Sequence, residues 1–476
     1  MLWSLFLLHN QKKGGKVLNS IFIYKEINGE VIITGLKKGV TTTSIVIPET
    51  IDGMPVVEIG PTAFEFTSIV DIKIGANIRK IGDEAFYSCE KLSSVTWNHK
   101  CDVIPDFCFA GCLNLINFDF SGIEKIGKYA FEKSGLQKVF LPENIKIIEK
   151  GTFRECSGLR SVTWNCTCDV IPANCFFECS NLTHFNFSVI KKIEKYSFSR
   201  SGLQEVSFPE NIKIIEEGTF KECSGLRSVA WNCTCDVIPA NCFFECSNLT
   251  HFDFSAIKKI GKYAFIRSGL QEVCLQKNIE ILEDGTFREC SGLRSVTWNC
   301  TCDVIPNFCF AACSNLTNFD FSGIEKIGKY AFEESGLQEV FLPENIKIIE
   351  DGAFRECSGL RSVTWNCTYD VIPVLCFAVC SNLTQFALSG IKKVGTSAFE
   401  KSGLTSVTLS QGTEVCKKCF AHCKSLAKIE WLSARNIEGN IFAGCKNIKE
   451  ICISDKVKNI EASAFESSPK AEITFV

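Results

Sequence analysis

One pattern of hydrophobic and polar positions recurs along nearly the whole chain. A copy begins as Leu-x-x-Val-x-Trp over Leu159–Trp164 and ends, after a polar turn, as Ile-x-x-x-Cys-Phe-x-x-Cys around Phe176. In the first part, apolar residues alternate with polar ones and are β-branched or aromatic, which predicts a short β-strand. Val162 and Trp164 are expected on the same side of this strand. Each copy therefore contributes one strand and a tightly turned segment.

The most regular position in the pattern is a phenylalanine after a small residue, called the marker Phe below. Successive marker residues are 22 or 23 positions apart, with one step of 21, and a longer period of 67 residues is superimposed. The chain therefore grew by duplication of a triplet of units. The marker residues are Phe64, Phe86, Phe109, Phe131, Phe153, Phe176, Phe198, Phe220, Phe243, Phe265, Phe287, Phe310, Phe332, Phe354, Phe377, Phe399, Phe420, Phe442 and Phe465.

A unit of this length cannot bury its apolar side alone, so neighbouring units must stack. Stacking places the Leu-x-x-Val strands side by side, about 4.8 Å apart, in a parallel sheet. We predict a repeat solenoid of about 19 turns that runs without interruption over residues 43–476. Residues 22–42 alternate around Asn28-Gly29 and predict a β-hairpin that caps the first turn. Residues 1–21 remain unassigned.

The units resemble a known family. The segments "IGDEAFYSCEKLSSV" (Ile81–Val95) and "GLQEVFLPENIKIIEDGAF" (Gly336–Phe354) are similar to BspA-like leucine-rich repeats, and Glu26–Phe64 resembles the lead-in that precedes such repeats. The resemblance implies a right-handed, β-rich leucine-rich-repeat solenoid with a concave parallel sheet. It also implies a surface or secreted protein that binds host matrix proteins or other cells.

Charge and hydropathy exclude some functions and leave the location open. The net charge of −3 argues against nucleic-acid binding, and no apolar stretch is long enough for a transmembrane helix. The segment "MLWSLFLLHNQKKGG" is a poor secretory signal because its basic residues follow the apolar ones. The family resemblance indicates the cell surface or secretion. The weak signal and the many cysteines indicate the cytoplasm.

The 29 cysteines occupy recurring positions. Twelve stand three residues after the marker Phe, where other units have Ser, which indicates a small buried slot. A zinc site could instead use Cys166, Cys168, Cys175 and Cys179, but a later copy has Tyr369 in place of Cys168. Oxidised cross-strand pairs are a third reading. We expect reduced core thiols, no metal and no cofactor.

Two sets of Asn-x-Thr triplets accompany these cysteines. Both readings of the triplets, glycosylation in a secretory route and capping of strand ends by the asparagine side chain, stay open, and we favour capping. The asparagines are Asn165, Asn232, Asn299 and Asn366 in one set and Asn181, Asn248, Asn315 and Asn382 in the other.

No catalytic motif occurs in the sequence, so we expect no enzyme. His184 and His251 are three turns apart, about 14 Å by strand spacing, which is too far to share a metal or a proton. The second, third and fifth positions of each strand should point away from the core and form a polar binding face on the concave sheet. The candidate binding residues are Arg160, Arg227, Arg294, Arg361, His184, His251, Gln204, Gln271, Gln338, Phe140 and Phe341.

The sequence therefore predicts a non-catalytic, surface-antigen-like solenoid for protein binding or adhesion. Its expected partner is a protein ligand of the extracellular matrix or the host cell surface. The alternative is an intracellular leucine-rich-repeat scaffold that uses the same sheet.

Overall fold

A computed structural model describes residues 21–97, 100–433 and 435–476. The sequence left residues 1–21 unassigned, and residues 1–20 of that segment lie outside the described residues. The chain divides into two compact units, the first ending at Val189 and the second spanning Ile190–Val476. One continuous solenoid over residues 43–476 stays a prediction.

Two kinds of parallel strand wind through each unit. Strands that follow the Leu-x-x-Val pattern are called front strands, and two-residue strands that precede the marker Phe are called side strands. Lys138–Leu141 pairs in parallel with Ser161–Trp164, and Lys125–Ile126 pairs in parallel with Ile147–Ile148. Among the described residues no helix is present. Each unit is therefore a β-solenoid with parallel ladders, which confirms the predicted fold class.

The first unit opens on an antiparallel hairpin, Phe22–Ile27 with Glu30–Leu36, that turns at Asn28-Gly29. Its second strand pairs in parallel with Met54–Ile59 and so covers the open edge of the first turn. The front strands are Ser44–Val46, Asp71–Lys73, Ser94–Thr96, Lys138–Leu141 and Ser161–Trp164. The remaining strands are Thr50–Ile51, Met54–Ile59, Lys80–Ile81, Val103–Ile104, Lys125–Ile126, Ile147–Ile148 and Val170–Ile171.

The second unit repeats the same two ladders. Its front strands are Glu205–Phe208, Ser228–Trp231, Glu272–Leu275, Ser295–Trp298, Glu339–Leu342, Ser362–Trp365, Ser406–Leu409, Lys428–Trp431, Glu450–Ile453 and Glu472–Phe475. Its side strands are Lys192–Ile193, Ile214–Ile215, Val237–Ile238, Lys259–Ile260, Ile281–Leu282, Val304–Ile305, Lys326–Ile327, Ile348–Ile349, Val371–Ile372, Lys393–Val394 and Glu414–Val415.

The marker Phe rings form a stack through the core of each unit. Phe220 has no exposed surface, and its ring centroid lies 5.9 Å from that of Phe198 and 5.8 Å from that of Phe243, with nearly parallel planes. Front-strand aromatics close the stack from the side, as Trp231 does against Phe243 at 6.1 Å. Offset stacking of buried rings adds to the stabilisation from area burial. Each turn of the solenoid buries its marker Phe only because the next turn covers it.

Backbone hydrogen bonds lock each marker segment to the following turn. The N–H groups of Gly218, Phe220 and Glu222 donate to the carbonyls of Ala240, Cys242 and Phe244 at 3.0, 3.1 and 2.6 Å. Gly218 and Glu222, two residues before and after the marker Phe, are left-handed with φ of 64° and 60°. Non-glycine residues in this conformation are strained. The strain is tolerated because the left-handed conformation directs every second backbone N–H of the segment toward the next turn.

The cysteines three residues after the marker Phe fill small buried slots along the stack. The Cys223 thiol donates to the Phe198 carbonyl at 3.0 Å and lies 3.4 Å from the Ser201 hydroxyl, which occupies the same slot one turn earlier. All 29 cysteines, each within the described residues, are free of disulfide bonds. Burial raises the pKa of the Cys223 thiol to about 11. Cys and Ser exchange because both donate a hydrogen bond in a small space.

One type of unit departs from the predicted parallel sheet. Segments such as Leu249–Phe254 keep the alternation of buried and exposed residues but form no regular strand. The Asp253 carboxylate accepts a hydrogen bond from the Ser255 N–H at 2.9 Å, and Asn186 and Asp320 make the same contact. Such a local bond competes with ladder bonds. The fifth position in these units is exposed and also shapes a turn, which the alternation alone did not predict.

Replacing Phe220 with Ala should lower the free energy of unfolding of the second unit by about 3–5 kcal/mol, because the change opens a cavity between two stacked rings. Phe341→Ala serves as the control, since Phe341 is 58% exposed on a front strand. Urea denaturation followed by circular dichroism measures both. Equal losses for the two variants would contradict the assigned core.

Raising the pH should destabilise the protein through its buried thiols. A thiol whose folded pKa is raised contributes stability below its unfolded pKa of about 8.5 and loses it as the pH rises toward its folded pKa of about 11. Cys223→Ser should therefore lose about 2 kcal/mol less stability than the parent between pH 8 and pH 10. Urea denaturation under reducing conditions checks this, with the exposed Cys274→Ser as control. Identical pH dependence in Cys223→Ser and the parent would be inconsistent with a buried, protonated Cys223.

Candidate binding face

The outward residues of the front strands form a surface called the front face. It holds the candidate arginines, and Arg227, Arg294 and Arg361 are all exposed in the second unit. The backbone N–H of Arg294 donates to the backbone carbonyl of Gln271 at 2.8 Å, and the backbone N–H of Gln271 donates to the backbone carbonyl of Thr250 at 3.0 Å. Thr, Gln and Arg therefore follow one another on adjacent turns, and the group repeats every third turn. In the first unit Arg160 follows Gln137 in the same way, at 2.9 Å.

The arginines on the front face differ from those near the marker segments. Arg267 pairs with Glu245 at 2.7 Å and with Glu289 at 2.5 Å, and Arg200 pairs with Glu222 at 2.6 Å. In the described parts of the chain, Arg160, Arg227, Arg294 and Arg361 form no ion pair. Their guanidinium groups are open to solvent, with all donors available to an external acceptor.

The other candidate residues lie on the same face. His184 and His251 are exposed, and each ring Nδ1 lies 2.9 Å from the hydroxyl of the preceding Thr. Gln204 and Gln271 are half-buried and Gln338 is exposed. The glutamines thus present only part of their side chains to a partner.

Exposed aromatic side chains interrupt the polar face at one position. Phe341 is 58% exposed and stands in register beside Thr364, and Phe140 in the first unit is 57% exposed beside Thr163. The equivalent position in another triplet is Cys274, which is also exposed. The position faces away from the core, as predicted, and the face is polar with single apolar contacts.

The Cys-x-Cys loops have a structural role that explains the Tyr replacement. The Trp231 indole N–H donates to the Cys235 carbonyl at 2.7 Å, and in the following triplets Trp298 donates to Cys302 at 2.9 Å and Trp365 donates to Tyr369 at 2.8 Å. The acceptor is a backbone carbonyl, so the side chain at that position is free to change. The loop gives each indole N–H its acceptor.

The two thiols of this loop contact each other in some copies. A hydrogen bond from Cys302 lowers the pKa of Cys300, and the same bond raises the pKa of Cys302 well above its usual range. In the Cys233 and Cys235 copy, burial raises both pKa values.

The structure separates the two sets of asparagines. The amides of Asn181, Asn248, Asn315 and Asn382 each donate to the carbonyl of a serine one turn earlier, at 2.7 Å. These four amides join turn residues on neighbouring turns, whereas we had expected them to cap strand ends. Asn232 and its equivalents are exposed at the ends of front strands.

One group of three acidic side chains lies near a marker segment. The carboxylates of Glu333, Glu334 and Glu356 lie within 4.8 Å of one another. Arg355 pairs with both Glu333 and Glu356, which accounts for their proximity. The arrangement is an ion-pair cluster of the same kind as those around Arg200 and Arg267.

Sequence reasoning missed the outward residues of the side strands. Ile214 and Ile281 are the first residues of two-residue strands and are 48% and 47% exposed. Nothing in the alternation of the front strands pointed to them. Among the described residues no helix is both long and apolar enough to cross a bilayer.

A family of known repeat proteins matches most of the chain. The BspA type leucine rich repeat region matches residues 57–183, 169–294, 236–361, 303–427 and 413–476. No curated protein matches the chain.

Solved structures of bacterial proteins are similar at low sequence identity. A leucine-rich repeat protein from Bacteroides ovatus is 19% identical, with 97% of this chain and 100% of that chain covered and a TM-score of 0.39. The pneumococcal vaccine antigen PcpA is 15% identical, covers 98% and 100%, and has a TM-score of 0.35. A leucine rich cell surface protein from Faecalibacterium prausnitzii is 16% identical, covers 98% and 95%, and has a TM-score of 0.28.

The stacked marker residues and the parallel ladders are the structural counterpart of the family match, which covers most of the chain. The protein belongs to the BspA-type leucine-rich repeat family.

Proposed function

We propose that this chain is a non-catalytic, surface-antigen-like protein that binds host matrix or cell-surface proteins through its front face. Family membership supports a role in protein interaction, since leucine-rich repeat solenoids generally serve as scaffolds for it. Extended sheet faces are the surfaces that solenoids use for binding.

The arginine positions on the front face carry this proposal. Arg227, Arg294 and Arg361 are exposed and form no ion pair within the described residues, whereas Arg200 and Arg267 are held by glutamates. A guanidinium group without an internal partner binds a partner's carboxylate without first breaking an ion pair. Arginine is also enriched at the energetic centres of interfaces.

Repetition strengthens the argument. The front face presents the same Thr-Gln-Arg group every 67 residues, which is three turns or about 14 Å by strand spacing. A partner that is itself repetitive engages several groups at once, and each further contact is effectively intramolecular. Phe341 adds an apolar contact at a position that is also Phe140 in the first unit, whereas the triplets between them have Ser207 and Cys274. Matrix proteins with repeated segments fit this surface.

The free thiols favour a second function, that of an intracellular scaffold using the same front face. The cysteines of the chain form no disulfide bonds and most are buried. Unpaired thiols in such number suit a reducing compartment. Labelling of intact, non-permeabilised cells with an antibody to the chain separates the two functions, because only a surface protein is stained.

Replacing Arg227, Arg294 and Arg361 together with Ala should weaken attachment to immobilised fibronectin, laminin or collagen by at least about tenfold, which corresponds to about 1.4 kcal/mol. The fold should remain, because surface substitutions usually cost under about 0.5 kcal/mol. Surface plasmon resonance measures attachment, and circular dichroism checks the fold.

The control changes two cations that directly precede side strands, Lys191 and Lys258, to Ala. This control should bind like the parent. If the arginine variant binds like the parent while the lysine variant loses attachment, the binding face has been placed on the wrong side of the solenoid.

A further inference from the structure

We propose that the outward residues of the side strands form a surface through which two copies of this chain associate. This surface, called the side stripe, lies in the second unit on a different side of the turn from the front face. Its members are Lys192, Ile214, Val237, Lys259, Ile281, Val304, Lys326, Ile348, Val371 and Lys393.

The side stripe is unusually apolar for an exposed position. Ile214, Ile281 and Ile348 are 48%, 47% and 45% exposed, and Val304 is 38% exposed. In strands such as Ile214–Ile215 and Val304–Ile305 the second residue is buried and the first faces outward. These exposed apolar residues recur in one column with lysines between them, and apolar patches at a surface mark interaction sites.

The charges on the side stripe are already neutralised within the chain. Lys192 pairs with Glu216 at 2.9 Å and Lys259 with Glu283 at 2.6 Å. Lys326 and Lys393 make equivalent pairs with Glu350 and Glu414, each at 2.9 Å. Their stems lie between the apolar residues and extend the covered area. An oppositely charged partner therefore gains little here, and a partner that is itself apolar and neutral fits best.

A second copy of the stripe meets this requirement. Parallel pairing sets Val304 beside Lys326 and Lys326 beside Ile348, so the order along the stripe is Val, Lys, Ile in every triplet. Reversing the order keeps the same spacing. Two stripes in antiparallel orientation can be set so that each Lys stem faces an Ile or Val of the other copy, with no two lysines opposed.

Twofold symmetry accounts for this choice of partner. In a twofold dimer the same patch serves both copies, so the patch must complement itself. The stripe does so through its repeat, because every triplet offers the same three side chains. Extended β surfaces pack face to face at about 10 Å, a distance that Ile and Val side chains can fill.

The test is the mass of the full chain in solution. Sedimentation equilibrium of the parent should show a monomer–dimer equilibrium, and the triple change Ile214→Glu, Ile281→Glu and Ile348→Glu should weaken association at least about tenfold. The variant Ile214→Thr, Ile281→Thr and Ile348→Thr keeps the β-branched shape and should also weaken it. Melting curves by circular dichroism establish that each variant is folded.

The matched control places three glutamates on the front face instead, as Ser228→Glu, Ser295→Glu and Ser362→Glu. These serines are exposed in front strands, so the control adds the same charge and should dimerise like the parent. A parent that is monomeric at all concentrations up to about 100 μM overturns the proposal, and so does a folded side-stripe glutamate variant with the dimer affinity of the parent.

Discussion

Contact between phenylalanine rings on successive turns is the constraint on which this architecture depends. Centroids of neighbouring marker rings in the second unit are between 5.2 and 5.9 Å apart. A single turn of about 22 residues has too little apolar area to fold alone. Each ring therefore becomes buried only when the next turn is in place. The same requirement fixes the register of everything attached to the turn, including the hydrogen bonds of the marker segment and the thiol slot beside it.

Because the stack fixes the register, surface residues with a period of 67 line up on defined faces. The front face carries arginines without internal partners, and the side stripe carries apolar residues with neutralised lysines. The cations near the marker segments are instead paired with glutamates, as Arg267 is. These three surfaces differ in chemistry although they arise from the same duplicated unit. Duplication therefore multiplied each surface together with the fold.

Much of this could be predicted from the sequence. The marker Phe and the Cys/Ser slot could be predicted because the chain contains many copies of each position. Ser201 beside Cys223 confirms that the slot is small and that the cysteine in it needs no covalent partner. Other features required the backbone. Trp231 uses the carbonyl of Cys235, which no comparison of side chains reveals. The turn made by Asp253 was not predicted, because alternation alone does not distinguish an outward carboxylate that binds the backbone from one that does not.

The side stripe was missed for a physical reason. Adjacent apolar residues such as Ile214 and Ile215 are typical of a strand buried on both faces. In a two-residue strand only one of them is directed inward, and strand length cannot be read from a short apolar run. The left-handed positions left a weak signal, since Gly218 recurs two residues before the marker Phe. Glu222 is left-handed two residues after the marker Phe. Its residue type did not predict this, because a non-glycine residue seldom adopts that conformation.

The central claim is that the front-face arginines are free in the protein and occupied in its complex. Labelling with phenylglyoxal, followed by peptide mass spectrometry, measures the reactivity of each arginine directly. The account predicts that Arg227, Arg294 and Arg361 react faster than Arg200 and Arg267 in the free chain, and that a bound matrix protein protects them selectively. Equal reactivity of the two groups, or protection of Arg200 and Arg267 alone, would contradict it.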